Sequence, residues 1–410
     1  GIDYPFSYVR GTEKRNFEAV LEAIKNENLK VKDLITERVV LEDFKQIYND
    51  MSSNKSIASI LLYPELDRKE KKSNTIKLDN KKYSLQNGVV GIIGSGNFTN
   101  RTVLPSLKGS GARLKMIASS GGLSGTNCAK NHGISQSTTD YKEILYDQEI
   151  DTVLITTRHD SHAKLVLESL KAGKNIFVEK PLALNRAELD QIIESYYNQD
   201  KKTKRAILMV GYNRRFSPHL IKVKKSMGSN IGAINIIANM NAGFISKSHW
   251  THDLDFGGGR IIGEACHLMD ICVFLSNSLI SSVCMSGLGN SPKIDTDNAI
   301  ILLKFKNGSN AVVNYFSNGS KKYSKERVEV YSQERTWIVD NYRKTEGFGI
   351  KRFKTLKTKL DKGHKNQFHK FIKQVQKGGE PLIYIEELFN VTKASFAAIK
   401  SMKTNTWIDV

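Results

Sequence analysis

The residues best suited to chemistry lie in four short runs. The first is GIIGSGNFTN, Gly91–Asn100, in which Gly94 and Gly96 follow an apolar stretch and precede a helical pattern. One glycine permits a tight turn, and the other lets backbone approach a pyrophosphate. Ser95, Asn97 and Phe98 line the start of that helix, where N–H groups and the positive end of the helix dipole favour phosphate. Thr99 stands where the usual fingerprint has a third glycine, and it either packs closely or bonds a phosphate. The second run is Thr156-Thr157-Arg158-His159-Asp160-Ser161-His162, and the third is Glu179-Lys180-Pro181. The fourth, GGGRIIGEACHLMD over Gly257–Asp270, carries Glu264 and His267.

Together these types suit removal of a proton from a hydroxyl while hydride leaves its carbon. A free lysine, with a reference pKa of about 10.4, acts as a base at neutral pH only where burial or nearby cations lower it. Arg158 and Arg214 are the cations available for that purpose. A histidine, at about 6.5, already titrates where general acid–base work needs it. Outside these motifs a surface lysine and a hydrogen-bonded helix histidine are the ordinary readings. On a helix, Glu264 lies three residues before His267 and shares its face.

Positioning these groups requires a parallel sheet. From residue 87 to 211 short apolar strands alternate with helices: Val89–Ile93, Leu114–Ala118, Val153–Thr156, Ile176–Val178 and Ile207–Val210. Such alternation predicts a doubly wound Rossmann α/β domain covered on both faces. The second and third runs then fall at carboxyl ends of strands, where open α/β sheets bind ligands. Residues 212–410 change character: Ile280–Ser286, Asn298–Phe305, Asn310–Tyr315, Arg327–Tyr331 and Thr336–Val339 are strand patterns, with Asn307–Gly308 a hairpin signal. This predicts a C-terminal α+β domain on a mainly antiparallel sheet. Residues 1–65 form a short N-terminal α/β extension, with helical patterns at Phe17, Val20, Leu21 and Ile24 and at Phe44, Ile47, Tyr48 and Met51. Residues 66–86 are charged and linker-like.

The second predicted parallel strand ends Ala118-Ser119-Ser120-Gly121-Gly122. An acidic residue there would bond ribose hydroxyls, and an arginine would favour a 2′-phosphate. Neither is present, and Ser119 and Ser120 accommodate a 2′-phosphate or serve as plain loop residues. The cofactor is thus NAD or NADP.

Composition narrows the setting. The 410 residues are 40% hydrophobic with a net charge of +20. No apolar run reaches the roughly 18–20 residues of a membrane span. Cys128, Cys266, Cys272 and Cys284 show no CxxC pair or metal-ligand spacing, which suits reduced thiols in a cytoplasm and argues for no metal. The basic run Lys351–Lys370 fits a solvated connector better than a nucleic-acid surface, so no nucleic-acid partner is expected. The positive charge would instead attract a charged cofactor and an anionic sugar nucleotide.

AGKNIFVEKPLAL, GYNRRFSP (Gly211–Pro218) and the Gly257–Asp270 run occur in order after the glycine loop, and over residues 87–410 the chain resembles the Gfo/Idh/MocA oxidoreductases. The resemblance implies a nicotinamide cofactor over the Rossmann domain, with a sugar or sugar-nucleotide substrate between it and the C-terminal sheet. It makes Lys180 the active-site lysine and His267 the catalytic histidine, with Glu179 and Pro181 shaping the loop beside the nicotinamide. Thr157 and His162 match the family loop after the third strand, while Arg158 and His159 depart from its usual Thr-Pro-Asn and are expected to contact cofactor or substrate. Thr156 is expected at the cofactor too, and Asn213 and Arg214 at the substrate. The family carboxylate four residues before the histidine is replaced by Gly263, so Glu264 is the candidate substitute. A cofactor-binding module without turnover is the alternative that Gly263 raises. Asp270 is expected to be structural, and pairing of copies through the C-terminal sheet is a further expectation.

Residues 1–65 resemble the tail of zinc-type alcohol dehydrogenases, without the catalytic zinc ligands. Bacterial two-domain oxidoreductases that join the two halves are associated with surface-polysaccharide synthesis, which this second resemblance implies for the chain, as it implies that the chain is the C-terminal portion of such a protein.

Overall fold

The computed structural model describes residues 7–49, 56–63, 73–83, 88–199, 205–228 and 231–410. Two compact units divide the chain, Gly1–Lys72 and Ser73–Val410. The first holds α1 (Glu13–Lys25), β1 (Ile35–Val40), α2 (Phe44–Asn49) and β2 (Ala58–Leu62), with β1 and β2 paired in parallel. Thr12 caps α1 by accepting from Arg15 N–H. Phe17, Val20, Leu21 and Ile24 share one face as the spacing predicts, yet no residue of α1 is buried. Met51, at the end of the second helical pattern, lies outside the described residues.

The second unit opens with β3 (Thr75–Lys77), inside the stretch predicted as linker. Its backbone pairs antiparallel with Gln136–Thr138 at the sheet edge, where a polar strand with one ladder is tolerated. Next come β4 (Val89–Ile93), α3 (Leu104–Leu107), β5 (Arg113–Ala118), α4 (Leu123–His132), β6 (Gln136–Thr138), α5 (Lys142–Tyr146) and β7 (Thr152–Ile155). α6 (His162–Lys171), β8 (Asn175–Val178), α7 (Arg186–Tyr197) and β9 (Leu208–Val210) complete the half. The sheet order is β3-β6-β5-β4-β7-β8-β9, parallel apart from β3. β4 sits between β5 and β7, so the strand order reverses there and a crevice opens at the carboxyl ends. Every residue of β4, β7 and β9 is buried, which explains their short unbroken apolar runs. Asn185 caps α7 by accepting from Glu188 N–H.

The remaining elements are α8 (Pro218–Met227), β10 (Asn235–Asn241), α9 (Cys266–Ser276), β11 (Ile280–Gly287), β12 (Asn298–Phe305), β13 (Asn310–Phe316) and β14 (Glu326–Ser332), then β15 (Arg335–Asp340), β16 (Lys344–Phe348), β17 (Leu356–Lys357), α10 (His364–Lys377), α11 (Ile385–Thr404) and β18 (Ile408–Asp409). Nine strands form one sheet, β17-β16-β15-β14-β10-β13-β12-β11-β18, antiparallel except where β10 meets β13. α9 and α11 cover one face, burying alternate residues such as Ile301, Leu303 and Val313. α10 returns to the Rossmann half, where Phe368 and Phe371 pack on Phe177 at ring separations of 4.7 and 5.9 Å. Among the described residues no helix is long and apolar enough to cross a membrane.

Candidate active site

The glycine loop leaves β4 through Gly94, whose φ of +111° a side chain would strain. A Cβ there would also come within 2.8 Å of the Thr156 carbonyl. Thr156 itself donates its hydroxyl to Gly94 O at 3.1 Å and contacts the Thr99 hydroxyl at 2.7 Å. Thr99 is fully buried and its hydroxyl serves Gly94 and Thr156, so it holds the turn and does not reach outward to a phosphate. Thr156 is occupied in the same way. Asn100 donates to Ser95 O and Gly96 O, which stiffens the loop from behind. A Cβ at Gly96 would meet nothing within 4 Å, so the loop offers open backbone on its outer side. Ser95, Asn97 and Phe98 border this opening. That cradle fits a dinucleotide pyrophosphate, and the Rossmann half is an NAD-binding fold. We expect Gly96→Val to abolish the rise in melting temperature that NAD(H) or NADP(H) gives the wild type. An equal rise in the variant would remove the loop from the cofactor site.

Ser119, between β5 and α4, turns to the first turn of α4: its Oγ accepts from Gly125 N–H at 3.0 Å and lies 3.3 Å from Ser124 Oγ, which meets Ser95 Oγ at 2.8 Å. Ser120 is exposed.

The loop after β7 and the Glu179–Pro181 loop are tied together by His162. This ring is wholly buried, and its Nδ1–H donates to Pro181 O at 2.7 Å. Burial keeps it neutral by lowering its pKa. His162 therefore positions the lysine loop. Thr157 accepts a hydrogen bond from Ser161. Arg158 is exposed, with its guanidinium 5.7 Å from the Trp250 ring centroid. Glu179 is pushed up to about 7 by burial. It requires glycine at 211, where a Cβ would meet its Oε1 at 2.7 Å.

Lys180 donates from Nζ to Gly263 O at 2.7 Å, which spans the crevice from one motif to another. Gly263 lies four residues before His267, in a π-helical turn, Ile261–Ala265, that leads into α9. Lys180 thus reaches the turn that leads to His267, and its charge acts on that ring. His267 is 5% exposed, and its buried Nδ1 has no hydrogen-bond partner among the described residues. Burial first, then the charges of Arg214 and Lys180, lower its pKa well below the usual histidine range. The ring is a neutral acceptor at physiological pH. If His267 takes the substrate proton, turnover falls only as pH drops through that lowered pKa, so the acid limb lies below about 6.5. His267→Ala should remove this limb as well as lower turnover, which a pH–rate profile checks.

Three sequence expectations need correction. Arg214 is not available to a substrate: it is buried and its Nε and Nη2 grip Glu326 at 2.8 and 2.9 Å. Lys362 adds a second cation to Glu326. Asn213 is also buried, donating to Lys362 O at 2.8 Å and accepting from Arg214 at 3.2 Å. Glu264 does not stand in for the family carboxylate beside His267. It faces the nine-stranded sheet, paired with Lys325 at 3.2 Å and Arg260 at 3.0 Å and accepting from Tyr315. Burial alone would raise its pKa, but Lys325, Tyr315, Lys180 and Arg260 hold it down at about 2. The π-turn is the reason, since an extra residue per turn rotates Glu264 off the face that regular helical spacing assigns. Asp270 is structural as expected, bound through both oxygens to Arg215.

Two residues near the site escaped the sequence reading. Trp250 meets His159 edge-on at 4.8 Å, and His364 at the start of α10 packs on Phe98 at 6.0 Å. The glycine run before Arg260 was the available signal for Trp250, because a Cβ at Gly257 would collide with the Trp250 carbonyl. Nothing in the spacing points to His364.

Comparisons with known proteins agree with this geometry. Residues 89–212 match the model of an oxidoreductase family with an NAD-binding Rossmann fold, and residues 230–338 match the GFO/IDH/MocA C-terminal domain. The chain is 27% identical to myo-inositol 2-dehydrogenase of Thermotoga maritima over 290 residues, covering 66% of this chain and 83% of that one. It is 26% identical to inositol 2-dehydrogenase of Rhizobium meliloti over 307 residues, 71% of this chain and 89% of the relative. A levoglucosan dehydrogenase solved in complex with NADH shares the fold, with a TM-score of 0.68 and 21% identity over 78% of this chain and 98% of that one. Neither family match reaches residues 1–65, so the likeness of that stretch to zinc-type alcohol dehydrogenases gains no support from them. The two matches belong to one family, follow one another in its domain order and together take in more than half of the 410 residues, so the chain belongs to the Gfo/Idh/MocA oxidoreductases.

Proposed function

We propose that the protein is a nicotinamide-dependent dehydrogenase of a sugar or polyol hydroxyl, with Lys180 and His267 at the reacting carbon. The observation that carries this reading is the Lys180–Gly263 hydrogen bond, which draws the lysine to the turn that precedes His267. When bound, the nicotinamide supplies a hydride acceptor. Lys180 has two further N–H donors with which to orient the substrate oxygen. His267 is held neutral and receives the proton of that oxygen. The names of the inositol and levoglucosan dehydrogenases among the relatives support a polyhydroxylated substrate. A sugar nucleotide used in surface-polysaccharide synthesis is the finer form of this reading. It rests on the resemblance of residues 1–65 and on the net charge of +20. A cytoplasmic setting is part of the same proposal.

A panel of myo-inositol, levoglucosan, glucose and UDP-sugars, each with NAD and NADP, tests it by absorbance of the reduced nicotinamide. Turnover with any one supports the reading and identifies the class. Cofactor binding with no turnover would favour the alternative of a quiet module. Copies are proposed to pair through the open face of the nine-stranded sheet, where Ile300, Leu302 and Phe316 are exposed. Sedimentation velocity should show more than one chain, and Leu302→Lys should shift the species to monomer.

A further inference from the structure

His159 has no part in the proton path yet is built into the site with care. It is 8% exposed, and its Nδ1 lies 2.8 Å from Gly257 O. A carbonyl only accepts, so Nδ1 carries the proton and Nε2 keeps a lone pair. No hydrogen bond reaches Nε2 among the described residues. The Trp250 indole holds one edge of the ring, and Asp160 N–H donates to Phe256 O at 3.2 Å, so the C-terminal half grips the loop on both sides of His159.

The ring also explains a missing side chain. A Cβ at Gly263 would come within 3.0 Å of His159 Cε1 and 3.3 Å of Nδ1, closer than packed groups settle without shifting. The imidazole thus crowds the space beside residue 263, and any side chain there needs the ring to give by a few tenths of an ångström. The same glycine gives its carbonyl to Lys180, so His159 and Lys180 flank one peptide segment a turn before His267. A carboxylate in that space would be charged and pair with Lys180. The imidazole instead stays uncharged, because burial and the Lys180 charge lower it to about 3.

We infer that His159 is a specificity-determining residue: its Nε2 accepts a hydrogen bond from a second hydroxyl of the substrate, neighbouring the hydroxyl handled by Lys180 and His267. The inference rests on the dehydrogenase reading and narrows it to vicinal diols. Losing one such bond in a desolvated site raises KM on the order of ten-fold.

The test uses the full chain and the first alcohol of the panel that the wild type oxidises. His159→Phe keeps a ring against Trp250 and removes the acceptor, whereas His159→Asn keeps an acceptor. The Phe variant should raise the KM for the alcohol about ten-fold while the KM for the nicotinamide cofactor moves less than about two-fold, and the Asn variant should recover most of the loss. An unchanged alcohol KM in His159→Phe overturns the inference and leaves the dehydrogenase reading standing. A parallel rise in the cofactor KM also overturns it, by assigning His159 to the cofactor. Absence of turnover by the wild type on every alcohol fails the dehydrogenase reading, and the inference with it. A melting measurement checks the packing separately: Gly263→Ala should lower the melting temperature of the wild type but not of His159→Ala, and an equal drop in both contradicts the shared space.

Discussion

Lys180→Ala is expected to cut turnover by roughly two to four orders of magnitude while cofactor affinity stays near that of the wild type. The Nζ atom is anchored at 2.7 Å on Gly263 O and stands a turn before His267, so its removal deletes the proposed donor to the reacting oxygen. The double variant with His267→Ala should lose less than the product of the two single losses, because groups that act on one substrate oxygen are not independent. Single-turnover kinetics with saturating cofactor separates the chemical step from binding. A Lys180→Ala variant that retains full turnover would leave the family lysine without a catalytic role here.

The second large effect concerns stability. Glu326 is 1% exposed and holds Arg214 and Lys362 at once. Burial opposes its ionisation, but these two cations hold its carboxyl well below the usual range. Glu326→Gln should therefore destabilise the second unit by about 3–5 kcal/mol, because it leaves the buried Arg214 and the part-buried Lys362 uncompensated. Chemical denaturation measures this loss. The pH dependence has a definite sign. The folded-state pKa of Glu326 is depressed, so its contribution is present above the unfolded carboxylate pKa and fades as pH falls through the lowered folded value. The wild type should lose stability below about pH 4.5, and the Gln variant should lose less over the same range. Equal stability of the two proteins at neutral pH would contradict the account of this cluster.

Much of the architecture was legible because it depends on local pattern. The buried parallel strands are short apolar runs, and Asn298–Phe305 alternates so cleanly that its predicted bounds coincide with β12. The same alternation hid β10: its outward positions are asparagines or residues of mixed character, and NIIANMN carries no clear strand signal. β3 was missed because one edge ladder makes little demand on sequence. The motifs pointed to Lys180 and to the turn before His267, which the fold joins through the Lys180–Gly263 hydrogen bond. They misassigned Asn213 and Arg214, which the family resemblance placed at the substrate. Their partners Lys362 and Glu326 lie more than a hundred residues away, and no periodicity reports such a pairing. Glu264 failed for a different reason, because helical spacing counts a regular turn where the chain makes a wide one. Gly263 was visible as a departure, but its cause, the His159 ring, is a contact between two motifs that only the folded chain reveals.

The most direct test of hydride transfer at the Lys180–His267 site follows the hydride itself. The alcohol that the wild type oxidises is prepared with deuterium at the carbinol carbon, and the nicotinamide product is analysed by mass spectrometry and NMR. The account predicts that the label arrives on the nicotinamide ring with the wild type, and that Lys180→Ala transfers it at a rate lower by roughly two to four orders of magnitude. Reduced cofactor without the label, or label transfer as fast in Lys180→Ala as in the wild type, would contradict it.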